Sequence, residues 1–431
     1  MRSWALLALG LAVGLDVPSN VDGASTPLPA PRTDFYIPSN ITYFNPATLG
    51  PTPRIVIEKV NADTVWLESN PANHYFGGFD GETPDTTLMD NVRTATANFF
   101  GCDLSELAIM PSTTVAFNTV ATGLVESGFL TDGDIVLTSD HEHAGGLMGW
   151  LHYQTLGLIQ VQPVHLPTSA LSATVTEIVK SFESAIVPGK TKVISVSHVL
   201  TTNGLRVPIK EISAMAHEHG IVVVVDGAQA PGGIAVNVTD LGCDIYAASC
   251  HKWMLAPKGN GVVFVSSDVQ SKINATFFDE GFRVYTGATG TRPAATILGL
   301  GHAIDYLNNF TDGAVGIETH NMALRETAWQ ALVTANVTDL EILSAPAASN
   351  MASPIITLKL PANVSERDVA SKMYQDHGMV VKQAADFPDP QPAAIRLGFH
   401  LYNSEADVQS LISALTAVVQ ELTPSAAPQP R

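Results

Sequence analysis

Short runs of β-branched apolar residues recur along the middle of the chain. Four of them are IVLT (135–138), VISVS (193–197), IVVVV (221–225) and VVFV (262–265). Near-continuous apolar runs of this length are typical of strands whose two faces are both buried, as in a parallel sheet. The pattern therefore predicts a central, mainly parallel sheet.

Helical patterns separate these runs. They include 172–186 (SATVTEIVKSFESAI) and 208–220 (PIKEISAMAHEHG), and the second begins with proline and ends with glycine, as helices commonly do. Alternating strands and helices in one sheet predict a large, doubly wound α/β domain. Such a domain binds its ligands at the carboxyl ends of the strands.

The pattern changes near residue 312. A helix, two strand-like runs (LEIL and PIITLKL) and a closing helix near 405–422 predict a smaller α+β domain. We therefore assign 61–311 to the large domain and 312–424 to the small one. Residues 25–60 are expected to form an N-terminal segment that packs with the small domain, and 425–431 a tail.

The composition narrows the class of protein. Of 431 residues, 45% are apolar and 15% are charged, as in a folded globular protein. The net charge of −19 argues against nucleic acid and anionic membranes as partners. Three cysteines, Cys102, Cys243 and Cys250, cannot form a disulfide framework, and no CxxC spacing is present.

The first residues predict a secretory signal peptide over 1–24. Arg2 precedes an apolar run, 4–15, that is too short to cross a bilayer, and two small-residue segments offer cleavage sites. A cytosolic protein with a frayed apolar N-terminus is the alternative. Export is also indicated by six N-x-S/T sequons, which predict surface glycosylation in a secreted protein. They begin at Asn40, Asn237, Asn274, Asn309, Asn336 and Asn363.

A carboxylate ends one of the predicted strands, and a lysine follows 26 residues later. Asp226 closes IVVVVD, and Lys252 lies in SCHKW after Ser249 and His251. Alone, Asp226 would be a helix cap or turn residue, and Lys252 a solvated surface lysine. Together they meet the needs of a pyridoxal 5'-phosphate (PLP) site. There the lysine forms a Schiff base and the aspartate keeps the pyridine nitrogen protonated.

With its SCHKW…APKG stretch, the sequence resembles the class V aminotransferase family of fold-type I PLP enzymes. The resemblance covers nearly the whole mature chain. It is strongest to the isopenicillin N epimerase-like branch, which includes C–S lyases, and weaker to the cysteine desulfurases. It implies a fold-type I PLP-dependent transferase fold and a PLP cofactor.

The phosphate of PLP needs donors at the start of a helix. PSTTVAFN supplies Thr113 and Thr114 just before an amphipathic helix, although an ordinary Ser/Thr cap would explain these residues as well. The resemblance implies that Thr113 and Thr114 bind the phosphate. It implies that Ser249 and His251 add contacts.

The resemblance also assigns residues to the ring of PLP. In TSDHEHAGGLMGW, the spacing of Glu142-His143 to Trp150 matches the family, which implies that His143 stacks on the ring, and Gln229 is implied as the donor to its phenolic oxygen. For His143, the alternatives are a structural histidine or a metal site formed by 140–143. For Gln229, the alternative is a buried glutamine bonded to the backbone. We expect no metal.

Two further motifs of the resemblance lie towards the C-terminus. TGTR places Thr291 where the family's threonine reaches the phosphate of the neighbouring subunit, which implies a homodimer; a glycine-rich turn is the alternative. Arg396 lies in an apolar strand, where a guanidinium needs an anionic partner. That partner is either an internal carboxylate or, as the resemblance implies, the α-carboxylate of a substrate.

The chain departs from the cysteine desulfurases. The segment before Arg396, VVKQAADFPDPQPAAIR, contains no cysteine to receive sulfur, and Thr201 stands where those enzymes have an asparagine that contacts the cofactor. Pro46 and Ala47 also replace the usual residues of the substrate-side N-terminal segment. Persulfide-forming desulfuration is therefore not expected.

These observations predict an exported PLP enzyme that acts at Cα of an amino acid or of a metabolite derived from one. Lys252 would serve as general base and acid. Transamination, epimerisation and β-elimination all remain open, since they use the same core residues. Two other classes remain as alternatives: a metal-dependent hydrolase centred on 140–143, and a non-catalytic secreted binding protein.

Overall fold

Twelve α-helices and thirteen strands are found in the described part of the chain, residues 26–76, 87–274 and 291–423 of a computed structural model. The helices are α1 (Arg54–Ser69), α2 (Pro71–Phe76), α3 (Thr87–Phe100), α4 (Thr113–Glu126), α5 (Ala144–Thr155), α6 (Val175–Ala185), α7 (Ile209–Glu218), α8 (Val238–Leu241), α9 (Ala294–Asn308), α10 (Gly313–Ala335), α11 (Glu366–His377) and α12 (Glu405–Leu422). The strands are β1 (Thr42–Tyr43), β2 (Leu107–Met110), β3 (Ile135–Ser139), β4 (Gln160–Val164), β5 (Thr191–Ser197), β6 (Val222–Asp226), β7 (Ile245–Ser249), β8 (Gly261–Val265), β9 (Glu341–Ile342), β10 (Ile355–Lys359), β11 (Met379–Val380), β12 (Lys382–Gln383) and β13 (Ala394–Gly398).

The large sheet has seven strands in the order β2-β8-β7-β6-β5-β3-β4. Strands β7, β6, β5, β3 and β4 pair in parallel, so the predicted mainly parallel sheet is confirmed. Strand β8 runs antiparallel to both of its neighbours, β2 and β7. The connection 250–260 contains no helix, and without a helical crossover the chain returns antiparallel.

Both faces of this sheet are buried. Along β6, Val223 and Val225 join an apolar cluster with α6, α7 and α9, whereas Val222 and Val224 join a second cluster with α4 and α5. Side chains of a strand alternate between its two faces, so this division places helices on both sides of the sheet. The continuous valine run is explained by this three-layer arrangement.

The small sheet is antiparallel, in the order β12-β13-β10-β9. Ile395 and Leu397 of β13 pack with α10, α11 and α12 in a separate core. Strand β1 pairs in parallel with β11, and Phe44 after it enters the same core. The N-terminal segment is thus attached to the small sheet, while α1, which extends past residue 60, packs against α9. The domain boundaries drawn from the sequence stay a prediction.

Some predictions lie outside the described residues, namely the signal peptide at 1–24 and the tail at 425–431. Within the described residues, no helix combines the length and the apolar character needed to cross a bilayer.

A turn after β5 joins the two sheets. The carbonyls of residues 202–204 each accept a hydrogen bond from a buried hydroxyl of the C-terminal part of the chain. The donors are Thr357, Ser344 and Ser353, at 2.7, 2.6 and 2.6 Å. Buried carbonyls that are all satisfied in this way hold the small sheet in a defined position on the large one.

Asn203 stabilises this turn, and we predict that Asn203→Ala lowers the free energy of unfolding by about 2 kcal/mol or more. Its buried amide donates to the carbonyls of Pro167 and Thr168 and accepts from the Leu205 amide, so truncation leaves three backbone groups unpaired. Urea unfolding followed by tryptophan fluorescence measures the loss. The exposed Asn308→Ala is the control, and equal stability of the two variants would contradict the prediction.

Candidate active site

The carboxyl ends of five strands of the large sheet meet at one cavity of about 360 Å³. This volume lies within the range of small-ligand pockets, and the position is the one where α/β sheets bind ligands. The large-sheet lining residues follow β2, β3, β5, β6 and β7; they include Thr113, Thr114, His143, Thr201, Asp226, Gln229, Ser249, His251 and Lys252. The small sheet and the segment beside it add Lys382, Asp386 and Arg396.

A larger groove, of about 820 Å³, lies between α10 and α12, but it contains only one charged side chain and no amine.

Asp226 supplies the carboxylate of the cavity. It is 5% exposed, and its Oδ1 accepts a hydrogen bond from the Ala228 amide at 2.8 Å. Burial raises the pKa of the Asp226 carboxyl, while the Ala228 amide and the charges of Lys252 and His143 oppose the rise. Oδ2 has no hydrogen-bond partner in the described part of the chain. A cationic N–H within the cavity would donate a hydrogen bond to Oδ2 and offset the cost of burying its charge.

Lys252 supplies the amine. Burial lowers the pKa of its side chain to about 8, opposed by Asp226 and reinforced by Arg396. More of this amine is therefore neutral, and hence nucleophilic, near neutral pH than in an ordinary lysine.

Hydrogen bonds to its backbone carbonyls hold the Lys252 loop on both sides. The Gly50 amide donates to the His251 carbonyl at 3.0 Å, and His400 Nε2 donates to the Trp253 carbonyl at 2.7 Å. A Cβ at position 50 would lie 1.9 Å from the Lys252 carbonyl oxygen, so only glycine permits this approach.

The start of α4 forms an anion site. Ser112 caps the helix by accepting from the Val115 amide at 3.3 Å, and Ser249 Oγ accepts from the Thr113 amide at 3.1 Å. The Thr113 and Ser249 hydroxyls are 2.8 Å apart. Thr114 is exposed, and its amide has no partner among the described residues. A free amide and hydroxyls at the positive end of a 14-residue helix suit a phosphate.

His251 lies beside this anion site. Its Nδ1 hydrogen-bonds to the Asn260 carbonyl at 3.1 Å, and burial lowers the pKa of its ring. With the proton on Nδ1, a neutral ring has only an acceptor at Nε2. The phosphate contact expected of His251 therefore requires a second proton, which the charge of the phosphate would favour.

His143 caps α5 at the opposite side of the Asp226 strand. Its Nδ1 accepts from the Gly145 amide at 2.9 Å, which leaves the ring exposed at the cavity. A Cβ at Gly145 would lie 2.6 Å from Thr114 Oγ1, and one at Gly146 would lie 2.7 Å from Asp226 Oδ2. Gly145 thus allows the imidazole and Thr114 to approach, and Gly146 leaves room for the Asp226 carboxylate. The stacking role of His143 stays a prediction.

Gln229 links the N-terminal segment to the Lys252 loop. Its Nε2 donates to the Ala47 carbonyl at 2.9 Å, and its Oε1 accepts from Trp253 Nε1 at 2.8 Å. One N–H of the amide is left for a ligand. Its expected bond to a phenolic oxygen stays a prediction.

Arg396 is the buried cation of the small sheet. It is 6% exposed and donates to the Thr201 carbonyl at 3.1 Å, to the Thr201 hydroxyl, and to Thr48 Oγ1 at 3.2 Å. Its Nε is buried without a partner, and no ion pair to it is found among the described residues. Burial lowers the pKa of Arg396 to about 10, against the charge of Asp386. A guanidinium so placed is ready to receive an anion.

Thr291 lies outside the cavity lining of the single chain and is exposed. Thr289 and Gly290 of its motif are outside the described residues, whereas Arg292 donates to the Ile109 carbonyl at 2.8 Å. The contact of Thr291 with a neighbouring subunit stays a prediction.

The side chains of 140–143 do not converge on a metal site. His141 is buried and bonded through Nδ1 to Thr202 Oγ1 at 2.7 Å, and Glu142 is bonded to the Ser197 hydroxyl. In the described ranges, no group of three or more His, Cys, Asp or Glu side chains is placed to bind a metal ion.

The sequence did not point to Thr48, Lys382 or Asp386. Thr48 lies in the N-terminal segment, just after Pro46 and Ala47. Lys382 and Asp386 lie in the segment before Arg396 that contains no cysteine. Their positions depend on the packing of the two sheets, for which no local sequence signal exists.

Comparison with known proteins is consistent with this geometry. The profile of the aminotransferase class V family matches residues 41–411. The chain belongs to the class V aminotransferase family.

Relatives of this class V chain include an isopenicillin N epimerase of Amycolatopsis lactamdurans, 26% identical over 87% of this chain and 94% of that protein. A cysteine desulfurase of Yersinia pseudotuberculosis is 27% identical over 91% of this chain and 98% of that protein. Among solved structures, the apo cysteine desulfurase from Thermococcus onnurineus NA1 superimposes with a TM-score of 0.77 at 21% identity, covering 92% of this chain and all of that one. The family and the fold predicted from the sequence are confirmed.

Membership of the class V family also confirms the expected enzyme class and the PLP cofactor. The cavity fits that cofactor on three independent points. Asp226 Oδ2 lacks a partner where a ring N–H is required, α4 offers a free amide for the phosphate, and Lys252 is a partly neutral amine. His143, Gln229, Ser249 and His251 line the remainder of the same cavity.

We predict that the rate at which apo-protein captures added PLP rises with pH through about 8 and then levels off. Because burial lowers the pKa of Lys252 below its usual 10.5, the amine loses its proton, and becomes nucleophilic, at the lower pH. Stopped-flow absorbance in the visible range measures the rate. A rate that still rises steeply towards pH 10.5 would indicate an ordinary, solvated lysine.

Proposed function

We propose that this class V enzyme binds an α-amino acid by its carboxylate at Arg396 and moves the proton on Cα with the Lys252 amine. One observation carries the proposal: Lys252, Asp226 and Arg396, far apart in the sequence, line a single cavity. Arg396 has a buried Nε without a partner in the described part of the chain. The carboxylate of a substrate would satisfy it.

The carboxylate site is formed by both sheets. Thr201 follows β5 of the large sheet, and its carbonyl and hydroxyl both accept from one nitrogen of Arg396. Thr48 of the N-terminal segment accepts from the other. These neutral acceptors orient the guanidinium without neutralising it, so its charge remains available to a substrate.

Lys252 is suited to carry a proton. Its lowered pKa, about 8, lies near working pH, where an amine can both accept and return a proton. PLP, when bound, supplies an electron-withdrawing ring that acidifies the Cα proton of the substrate. Asp226 keeps the ring nitrogen protonated, and the α4 amide holds the phosphate. Arg396 holds the carboxylate so that Cα lies within reach of Lys252.

The thiols of the chain do not support persulfide-forming chemistry. None of the three cysteines lines the cavity, and none forms a disulfide. Burial raises the pKa of Cys102 to about 12 and raises the pKa of Cys243 and Cys250 further. Because the thiolate is the species that accepts sulfur, we place this chain apart from the desulfurases it resembles.

Transamination, epimerisation at Cα and β-elimination all begin with removal of the same proton. Contacts with the substrate side chain decide between them. A panel of amino acids, assayed for 2-oxo acid, for inverted configuration and for released thiol or ammonia, identifies the reaction. A protein that binds PLP but processes no amino acid would be the secreted binding protein considered above.

The direct test uses purified protein, borohydride and Lys252→Ala. We predict that wild type shows a visible absorbance band that borohydride removes, and that Lys252→Ala lacks the band because Lys252 is the amine that interacts with Asp226. The exposed Lys180→Ala is the matched control and should behave as wild type. A colourless wild type that also fails to take up added PLP would overturn the proposal.

We further propose that the enzyme is exported, glycosylated and dimeric. All six sequon asparagines are exposed, as glycosylation requires. Two of them, Asn336 and Asn363, adopt left-handed backbone conformations at surface turns. The dimer, with Thr291 completing the neighbouring site, rests on the family resemblance.

Expression of the full chain in a eukaryotic host tests export. We predict secreted protein whose electrophoretic mobility increases on treatment with peptide N-glycosidase, because the exposed sequons are accessible to the transferase. A chain that lacks residues 1–24 should stay inside the cell and show no mobility change. Retention of the full chain without glycan would contradict export.

A further inference from the structure

The small sheet places two cations side by side at the cavity. Lys382 of β12 and Arg396 of β13 are directly opposite residues in an antiparallel pair. Opposite residues project to the same face, with Cβ atoms about 5 Å apart. The neighbours of Arg396 along β13, Ile395 and Leu397, point the other way into the small core. Both cations therefore face the large sheet, and both line the cavity.

Neither cation forms an ion pair with a described residue, although the charge of Asp386 acts on Arg396. Among the described residues, no ion pair involves Lys382 or Arg396. Asp386 lines the same cavity but forms an ion pair with neither of them. The side chain of Lys382 makes no hydrogen bond to the described residues, and it lines the cavity.

Like charges directly opposite each other destabilise a sheet. The cost is greater where one of the pair is buried, as Arg396 is. An anionic ligand with two charged groups would offset it. Under the proposed function, the α-carboxylate occupies Arg396, which leaves Lys382 for a second anionic group.

We propose that Lys382 determines specificity by binding an anionic group on the substrate side chain, so that the substrate is an acidic α-amino acid. This inference rests on the proposed function and adds the substrate class to it. The anionic group is a carboxylate or a sulfonate, since both present the same charge to an ammonium. The cavity of about 360 Å³ must hold cofactor and substrate together, so the substrate is small.

Substitution of Lys382 by methionine tests the proposal, since methionine keeps an unbranched stem and removes the charge. Apparent Kd values come from absorbance changes of the PLP-loaded protein with L-glutamate and L-aspartate, and with the neutral L-glutamine and L-asparagine. We expect wild type to bind L-glutamate and L-aspartate more tightly than L-glutamine and L-asparagine. In Lys382→Met, we expect the Kd values of the two acidic amino acids to rise about tenfold and those of the two amides to stay the same. Lys382→Arg should keep the preference.

A matched control lies on the same sheet. Lys359 of β10 is exposed and paired with Glu341, so Lys359→Met should change none of the four Kd values. Equal losses for glutamate and glutamine in Lys382→Met would overturn the proposal, because Lys382 would then assist Arg396 with the α-carboxylate. The proposal would also be overturned if Lys382→Met bound glutamate and glutamine as tightly as wild type does. Tighter binding of lysine or ornithine than of glutamate by wild type would overturn it as well.

A second measurement separates this inference from the proposed function. Glutarate and pentanoate both lack the amine, and glutarate has one more carboxylate than pentanoate. Isothermal calorimetry of the two with the purified protein therefore measures anion binding without any reaction at Cα. Tighter binding of glutarate that Lys382→Met abolishes supports the two-cation site even if no amino acid is processed. Equal binding of the two acids would overturn it, even in an enzyme shown to use PLP.

Discussion

The buried charge of Asp226 is the constraint on which the site depends. A carboxylate at the end of an all-valine strand is costly unless cations surround it, and the surrounding chain supplies Lys252 and His143. Oδ2 nevertheless has no donor within the described residues. In the proposed function, the protonated ring nitrogen of PLP would supply that donor. The cofactor would then contribute to the electrostatic balance of the large domain as well as to its chemistry.

The parts of the structure that sequence reasoning could predict are those determined by local patterns. Apolar runs indicated the parallel strands, and the strand-end position of Asp226 indicated where ligands bind. The orientation of β8 could not be predicted, because an apolar run shows that both faces are buried but not the direction of the strand. Thr48 and Lys382 could not be found in this way. Thr48 reaches the cavity beside Arg396, which lies 348 residues later in the chain. Lys382 reaches it through pairing with Arg396 in the small sheet.

In the proposed function, the two sheets share the recognition of the substrate. In the turn at 201–204, the Thr201 carbonyl accepts a hydrogen bond from Arg396. The next three carbonyls accept hydrogen bonds from hydroxyls of the small domain. The position of the guanidinium is therefore tied to the joint between the domains. Any change in the angle between the sheets would move Arg396 and Lys382 together, relative to Lys252, so binding of the carboxylate and domain position are coupled.

The close approach of Gly50 to the Lys252 carbonyl has a consequence for biosynthesis. The N-terminal segment leaves the ribosome first, yet β1 in that segment pairs with β11, more than three hundred residues later. The segment must wait for almost the whole chain before it can reach its final place beside the lysine loop. Such long-range closure is slow, and the pocket is consequently among the last parts of the protein to form. If the chain is exported as proposed, it would emerge from the membrane pore without a finished pocket, and the cofactor would enter after the final strands have been made.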